Sequence, residues 1–206
     1  MSDGISTFID ANILIYIVEY KKDAVDKWFE QLYDFIYIHK DVLDELRTKG
    51  VRDFFQTKIT DSDQWILFDP EDERSLTEED YNLYEGFYNE TRKQFGVYQE
   101  GRDYKSTTDK GDIAILAGCL FMEIPLITSQ DSDYKTVIDK FNLKVSYGIE
   151  SIPDEKIKVH DLLELGNKLI GKRICKRSDY RKFVKVSIGV NNFEWIDSSL
   201  IEEPGN

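Results

Sequence analysis

The stretch Ile5-Ser6-Thr7-Phe8-Ile9-Asp10-Ala11-Asn12 is a short strand-type run closed by an acid. It reads as continuous and apolar rather than alternating, the pattern of a strand covered on both faces in a parallel sheet between helices. Asp10 or Asn12 can cap the helix that starts near Ile13. The same strand pattern returns at residues 35–38, 64–68, 126–128 and 143–146. Helical spacing fills the gaps at 24–33, at Val42, Leu43 and Leu46 after a capping Asp41, at 51–58, at 112–122 and at 132–141. Ser75-Leu76-Thr77-Glu78 has the spacing of a capping box and opens a helix to about Phe95, with 96–109 as a polar loop. Strands alternating with helices predict an α/β fold with a doubly wound, mainly parallel five-stranded sheet flanked by helices. Residues 1–150 form that domain. Residues 151–206 are a C-terminal extension packed on or continuing it, with a helix at about 160–170 and strand-like runs at 182–188 and 193–196.

The chain has 206 residues, enough for one sizeable domain, and its apolar content of 41% can build a core. No apolar run approaches the roughly 20 residues of a membrane span, and the start lacks the basic and apolar regions of a signal peptide. Cys119 and Cys175 form no paired motif, and Cys119 reads as a small buried hydrophobe. A cytoplasmic protein is expected. Net charge is −13, which disfavours nucleic acid on average. The charge is uneven, however. Lys172, Arg173, Lys176, Arg177, Arg181, Lys182 and Lys185, opposed only by Asp179, make one segment of +6 and leave −19 elsewhere.

Asp10 and Asp131 each follow a strand run, while Glu45 and Asp112 open apolar helical segments. In a parallel sheet the ligand crevice lies outside the carboxyl ends of the strands, so the four can share one edge. Like charges held together repel and raise each other's pKa, so four acids in one place imply a cation. All-oxygen ligands favour a hard ion, Mg²⁺ or Mn²⁺. Asn12, Ser129 and Asp133 are candidates to hold those carboxylates by hydrogen bonds. Each acid also has a plainer explanation, since Asp10 can simply cap a helix and a first-turn Glu45 or Asp112 suits the helix dipole. His39 and His160 pair with no nucleophile by spacing and read as structural or surface residues. No phosphate-binding glycine loop or zinc spacing occurs.

Four segments together resemble the PIN-domain nucleases: Phe8-Ile9-Asp10-Ala11-Asn12-Ile13-Leu14, Val42-Leu43-Asp44-Glu45-Leu46, Gly111-Asp112-Ile113-Ala114-Ile115-Leu116-Ala117 and Leu126-Ile127-Thr128-Ser129-Gln130-Asp131-Ser132-Asp133-Tyr134. Their order and surrounding elements carry the likeness over residues 5–146. The resemblance implies a metal-dependent endoribonuclease with Asp10, Glu45, Asp112 and Asp131 as catalytic metal ligands and single-stranded or structured RNA as substrate. Lys172, Arg173, Lys176 and Arg177, with Arg92, Lys93, Arg102 and Lys105, would guide the RNA backbone. An inhibitory protein partner, as in toxin–antitoxin pairs, and a homodimer both stay open. The segment between Glu45 and Asp112 is longer than in a minimal PIN domain, and the extension exceeds that of compact toxin-type members. Two other readings compete. One is a PIN-like scaffold that binds without cutting. The other is a phosphatase of the haloacid-dehalogenase type, which needs an acid where Asn12 stands.

Overall fold

The computed structural model describes residues 4–22, 24–100 and 110–204. In chain order the elements are β1 (Ser6–Ile9), α1 (Ala11–Glu19), α2 (Val25–Leu32), β2 (Phe35–His39), α3 (Lys40–Glu45), α4 (Lys49–Asp61), β3 (Trp65–Phe68), α5 (Glu78–Gln99) and α6 (Lys110–Phe121). Then follow β4 (Leu126–Thr128), α7 (Ser132–Phe141), β5 (Lys144–Val145), β6 (Glu155–Lys156), β7 (Lys158–His160), α8 (Leu162–Gly171), α9 (Arg177–Ile188) and α10 (Val190–Ser199).

Five strands form one all-parallel sheet in the order β3-β2-β1-β4-β7, and its connections fit a doubly wound fold. From β1 the chain steps outward to β2 and β3, then returns to place β4 on the other side of β1. That reversal is a topological switch point, where the connections on either side leave a crevice at the carboxyl ends of β1 and β4.

The inner strands are largely buried because helices cover both faces, and their few polar side chains are buried with them. Phe8 meets Tyr37 and Phe68 on one face, where Gly118 lets α6 come down on the ring. A Cβ at Gly118 would stand 2.7 Å from Cζ of Phe8, so only glycine allows this approach. α5 packs over α6, while α1 lies against α4 and α9. Thr7, buried in the sheet, satisfies its hydroxyl against that of Thr128 at 2.9 Å. Among the described residues no helix is long and apolar enough to cross a membrane.

Several local expectations change. The sheet takes its fifth strand from 158–160, beyond residue 150, because β7 occupies the free side of β4. The run expected as fifth strand, β5, pairs antiparallel with β6 in a separate ribbon. Residues 182–188 and 193–196 are helical rather than strand-like. Tyr180, Phe183 and Val184 bury one face of α9 at i, i+3 and i+4, with Phe183 edge-on to Tyr20 and Trp28. α5 is capped by Thr77, not Ser75, through a capping box with Asp80, and continues past Phe95 to Gln99. Ser75 is drawn instead into a turn closed by Asp72. α3 is capped by His39, not Asp41, so Glu45 ends that short helix rather than opening it.

Candidate functional site

Asp10 leaves β1 with extended backbone and caps α1, accepting from the Ala11 N–H at 2.6 Å. Its other oxygen accepts from the Ser129 hydroxyl at 2.7 Å and the Asn12 amide at 2.5 Å. Asn12 also donates to Ser129 Oγ at 3.2 Å and accepts from the Gln130 N–H at 3.2 Å. The Ser129 hydroxyl oxygen in turn accepts from the Asp131 N–H at 2.9 Å. These bonds stitch the end of β1 to the end of β4 across the switch point. Asp10 is only 6% exposed. Burial is the main cause that raises its pKa from 3.8 to about 6; the Ser129 and Ala11 bonds pull it down, while the Asp131 and Glu45 carboxylates push it up. Asp131 and Glu45 therefore both lie close enough to act on Asp10 at this edge.

Asp131 caps α7 by accepting from the Asp133 N–H at 2.8 Å. Asp133 is buried and accepts from the Tyr98 hydroxyl at 3.0 Å, which ties α7 to α5. Glu45 accepts from the Gly111 N–H at 3.0 Å, satisfying a donor that the first turn of α6 leaves without an intrahelical partner. A Cβ on Gly111 would lie 2.8 Å from Glu45 Oε2, so this approach favours glycine. Asp112, half-buried one residue further along α6, lies beside the buried Tyr134, whose hydroxyl also senses Asp10.

All four acids thus stand around the carboxyl ends of β1 and β4. Among the described residues, however, no three Asp, Glu, His or Cys side chains already surround a point where one ion could sit. Asp10, Glu45 and Asp131 are each turned onto a backbone N–H of the protein. The donor chemistry suits Mg²⁺ or Mn²⁺, being carboxylate oxygen alone, and an ion would have to draw Glu45 and Asp131 off those bonds.

The basic segment lies elsewhere. Asp161 caps α8 where the Leu162 N–H donates to Gln130, at the acidic edge. Lys168, further along α8, borders a groove with Ser6, Phe35 and Pro125 at the opposite edge. Lys172 and Arg173 follow the end of that helix, about 15 Å of helical rise from Asp161. Lys176 is exposed at the start of α9. Arg177 donates to the Asp197 carbonyl at 2.9 Å, Arg181 pairs with the Asp197 carboxylate, and Lys182 pairs with Asp179 at 2.8 Å. Lys93 pairs with Glu90, whereas Arg102 and Lys105 lie outside the described residues.

Both histidines are buried. His39 Nε2 meets the Tyr84 hydroxyl and His160 Nδ1 the Tyr33 hydroxyl, each at 2.8 Å. Burial lowers both imidazoles to about 4, so they are neutral at physiological pH. Sequence reasoning missed Gly111, Gln130, Tyr98 and Tyr134. Only Tyr134 left a signal, as a polar-tipped residue one turn after Asp131 on the stripe that continues to Val137 and Ile138. Compared with known proteins, the chain matches no family model and no curated sequence.

Proposed function

We propose that this protein is a PIN-type ribonuclease that uses Mg²⁺ or Mn²⁺ held by Asp10, Glu45, Asp112 and Asp131. The observation that supports the reading is the buried Asp10 at the switch point, its proton held more tightly by the nearby Asp131 and Glu45 carboxylates. A buried carboxylate with two others near it is costly without a counter-ion, and the crevice between β1 and β4 is where such a sheet takes a ligand. A bound divalent ion would lower the pKa of a water and offset charge on a phosphodiester.

The chain's own residues set the scene for that chemistry. Ser129 and Asn12 fix Asp10 in one orientation, and their bonds favour its ionised, ligating form. The Asp10 pKa of about 6 means that it has shed its proton at neutral pH even without the ion. Glu45 and Asp131 would have to exchange their N–H partners for the ligand. Asn12 donates an amide N–H to Asp10, which a second carboxylate could not do, and this weighs against the Asp-nucleophile phosphatase.

The competing reading is a PIN-like binding scaffold without catalysis. It is favoured by the N–H bonds that already occupy Asp10, Glu45 and Asp131. The deciding experiment incubates single-stranded RNA with the full chain in Mn²⁺, in chelator, and with Asp10→Asn. Cleavage in Mn²⁺ alone, lost in both other samples, supports the nuclease. Cleavage that survives Asp10→Asn, or none under any condition, rejects it.

A further inference from the structure

Tyr134 is fully buried, yet its hydroxyl has no partner in hydrogen-bonding geometry. An unsatisfied buried hydroxyl is costly, and a phenylalanine would fill the same space without it. Other buried tyrosines of this core have satisfied hydroxyls. Tyr33 bonds to His160 at 2.8 Å, and Tyr180 donates to the Leu162 carbonyl at 2.5 Å. The groups around the Tyr134 hydroxyl are the carboxylates of Asp112, within reach of a hydrogen bond, and of Asp10, with the buried Cys119 thiol beyond. Asp112 and Cys119 lie two turns apart on one face of α6, so the tyrosine stands along that face with its polar tip toward the acids.

We propose that Tyr134 is a positioning residue whose hydroxyl donates to the Asp112 carboxylate and holds it turned toward Asp10 when the acids gather about a divalent ion. A neutral O–H suits this task. It stabilises an anion without adding charge, and it leaves the second carboxylate oxygen open. Asp112 stands on a helix face and Asp10 at a strand end, so a donor near both carboxylates can set one relative to the other. The orphan hydroxyl is then a donor waiting for the ligated arrangement. The proposal rests on the metal-centre reading above and adds to it a residue that touches neither ion nor substrate.

The test compares the parent, Tyr134→Phe, Tyr180→Phe and Asp10→Asn as full chains. Free Mn²⁺ is followed by electron paramagnetic resonance during titration, and melting is measured in chelator. Tyr134→Phe should keep or raise the metal-free melting temperature while weakening Mn²⁺ binding by about tenfold or more. Tyr180→Phe, which loses a satisfied bond far from the acids, should melt lower and bind Mn²⁺ as the parent does. Unchanged Mn²⁺ affinity in Tyr134→Phe, with binding lost in Asp10→Asn, overturns the positioning role and leaves the metal centre standing. A Tyr134→Phe protein that loses affinity but also melts as low as Tyr180→Phe overturns it too, since that is ordinary core damage. A parent that binds no Mn²⁺ removes the metal centre and the proposal together.

Discussion

The Ser129 hydroxyl donates to Asp10 Oδ2 at 2.7 Å, joining residues 119 positions apart at the ends of two adjacent parallel strands. This bond favours the ionised carboxylate and so works against the burial that raises the Asp10 pKa to about 6. Ser129→Ala should therefore push that pKa higher still. A bond to a charged group is worth about 1.5–3 kcal/mol, so the rise should be roughly one unit or more. Carboxyl carbon shifts followed by NMR through a pH titration would read it. A pKa that stays put or falls would mean the hydroxyl does not hold the anion.

Asp10 also links stability to pH. Its folded pKa of about 6 lies above the ordinary 3.8, so its contribution is fully present below about 3.8 and is lost as pH rises through about 6. About two units correspond to roughly 3 kcal/mol for this buried group. His39 and His160 act in the opposite sense. Their folded values of about 4 lie below 6.5, so their contribution is present above 6.5 and is lost as pH falls toward 4. The parent's own profile mixes both effects, and the difference from Asp10→Asn isolates the acid. In chelator, denaturant unfolding should show the variant gaining on the parent as pH goes from about 4 to 7. A gap that is constant with pH would show that Asp10 is not raised.

Four strands of the sheet were legible because each is a short run of mostly apolar or β-branched residues, and Asp10 and Asp131 were legible because they closely follow two of them. The edge strand β7 was not, since Lys158-Val159-His160 offers only one apolar residue and gains its place by pairing with β4. α9 was hidden because 182–188 alternates locally, and only Tyr180 and its packing on Trp28 reveal the helical stripe. Glu45 was located in the sequence but placed at the wrong end of its helix, since His39 caps through a buried imidazole that no capping preference anticipates. The Glu45–Gly111 bond is likewise invisible in sequence, because it joins residues 66 positions apart.

Gly111→Ala tests that bond. The new methyl would stand 2.8 Å from Glu45 Oε2 and 3.1 Å from Glu45 Cδ, both at the free end of a flexible side chain. Glu45 should swing away at little cost, and alanine suits a helix better than glycine by up to about 1 kcal/mol. The expected result is an unchanged or slightly raised melting temperature with reduced Mn²⁺-dependent cleavage. A clear loss of stability would mean that Glu45 is fixed in place and that its bond to Gly111 is structural.

Lys172, Arg173 and Lys176 pose the last question, because they lie toward the far edge of the sheet from the acids. With a net charge of −13 the proposed RNA binding would have to come from local positive surface. Arg177 is tied to Asp197, so Arg177→Ala should lower stability as well as any RNA affinity. Changing Lys172, Arg173 and Lys176 together to Ala should weaken RNA binding and flatten its salt dependence, by about one slope unit for each phosphate no longer neutralised. Cleavage at saturating RNA should be unaltered, because no group near Asp10 has moved. Binding measured from low to moderate salt on a long and a short oligonucleotide separates the cases. An RNA that runs from the acidic edge along α8 must be long to reach these residues, so the long one should lose affinity and the short one should not. Equal affinities for parent and triple variant at every salt concentration would assign the segment to another role and leave the proposed RNA reading resting on the four acids alone.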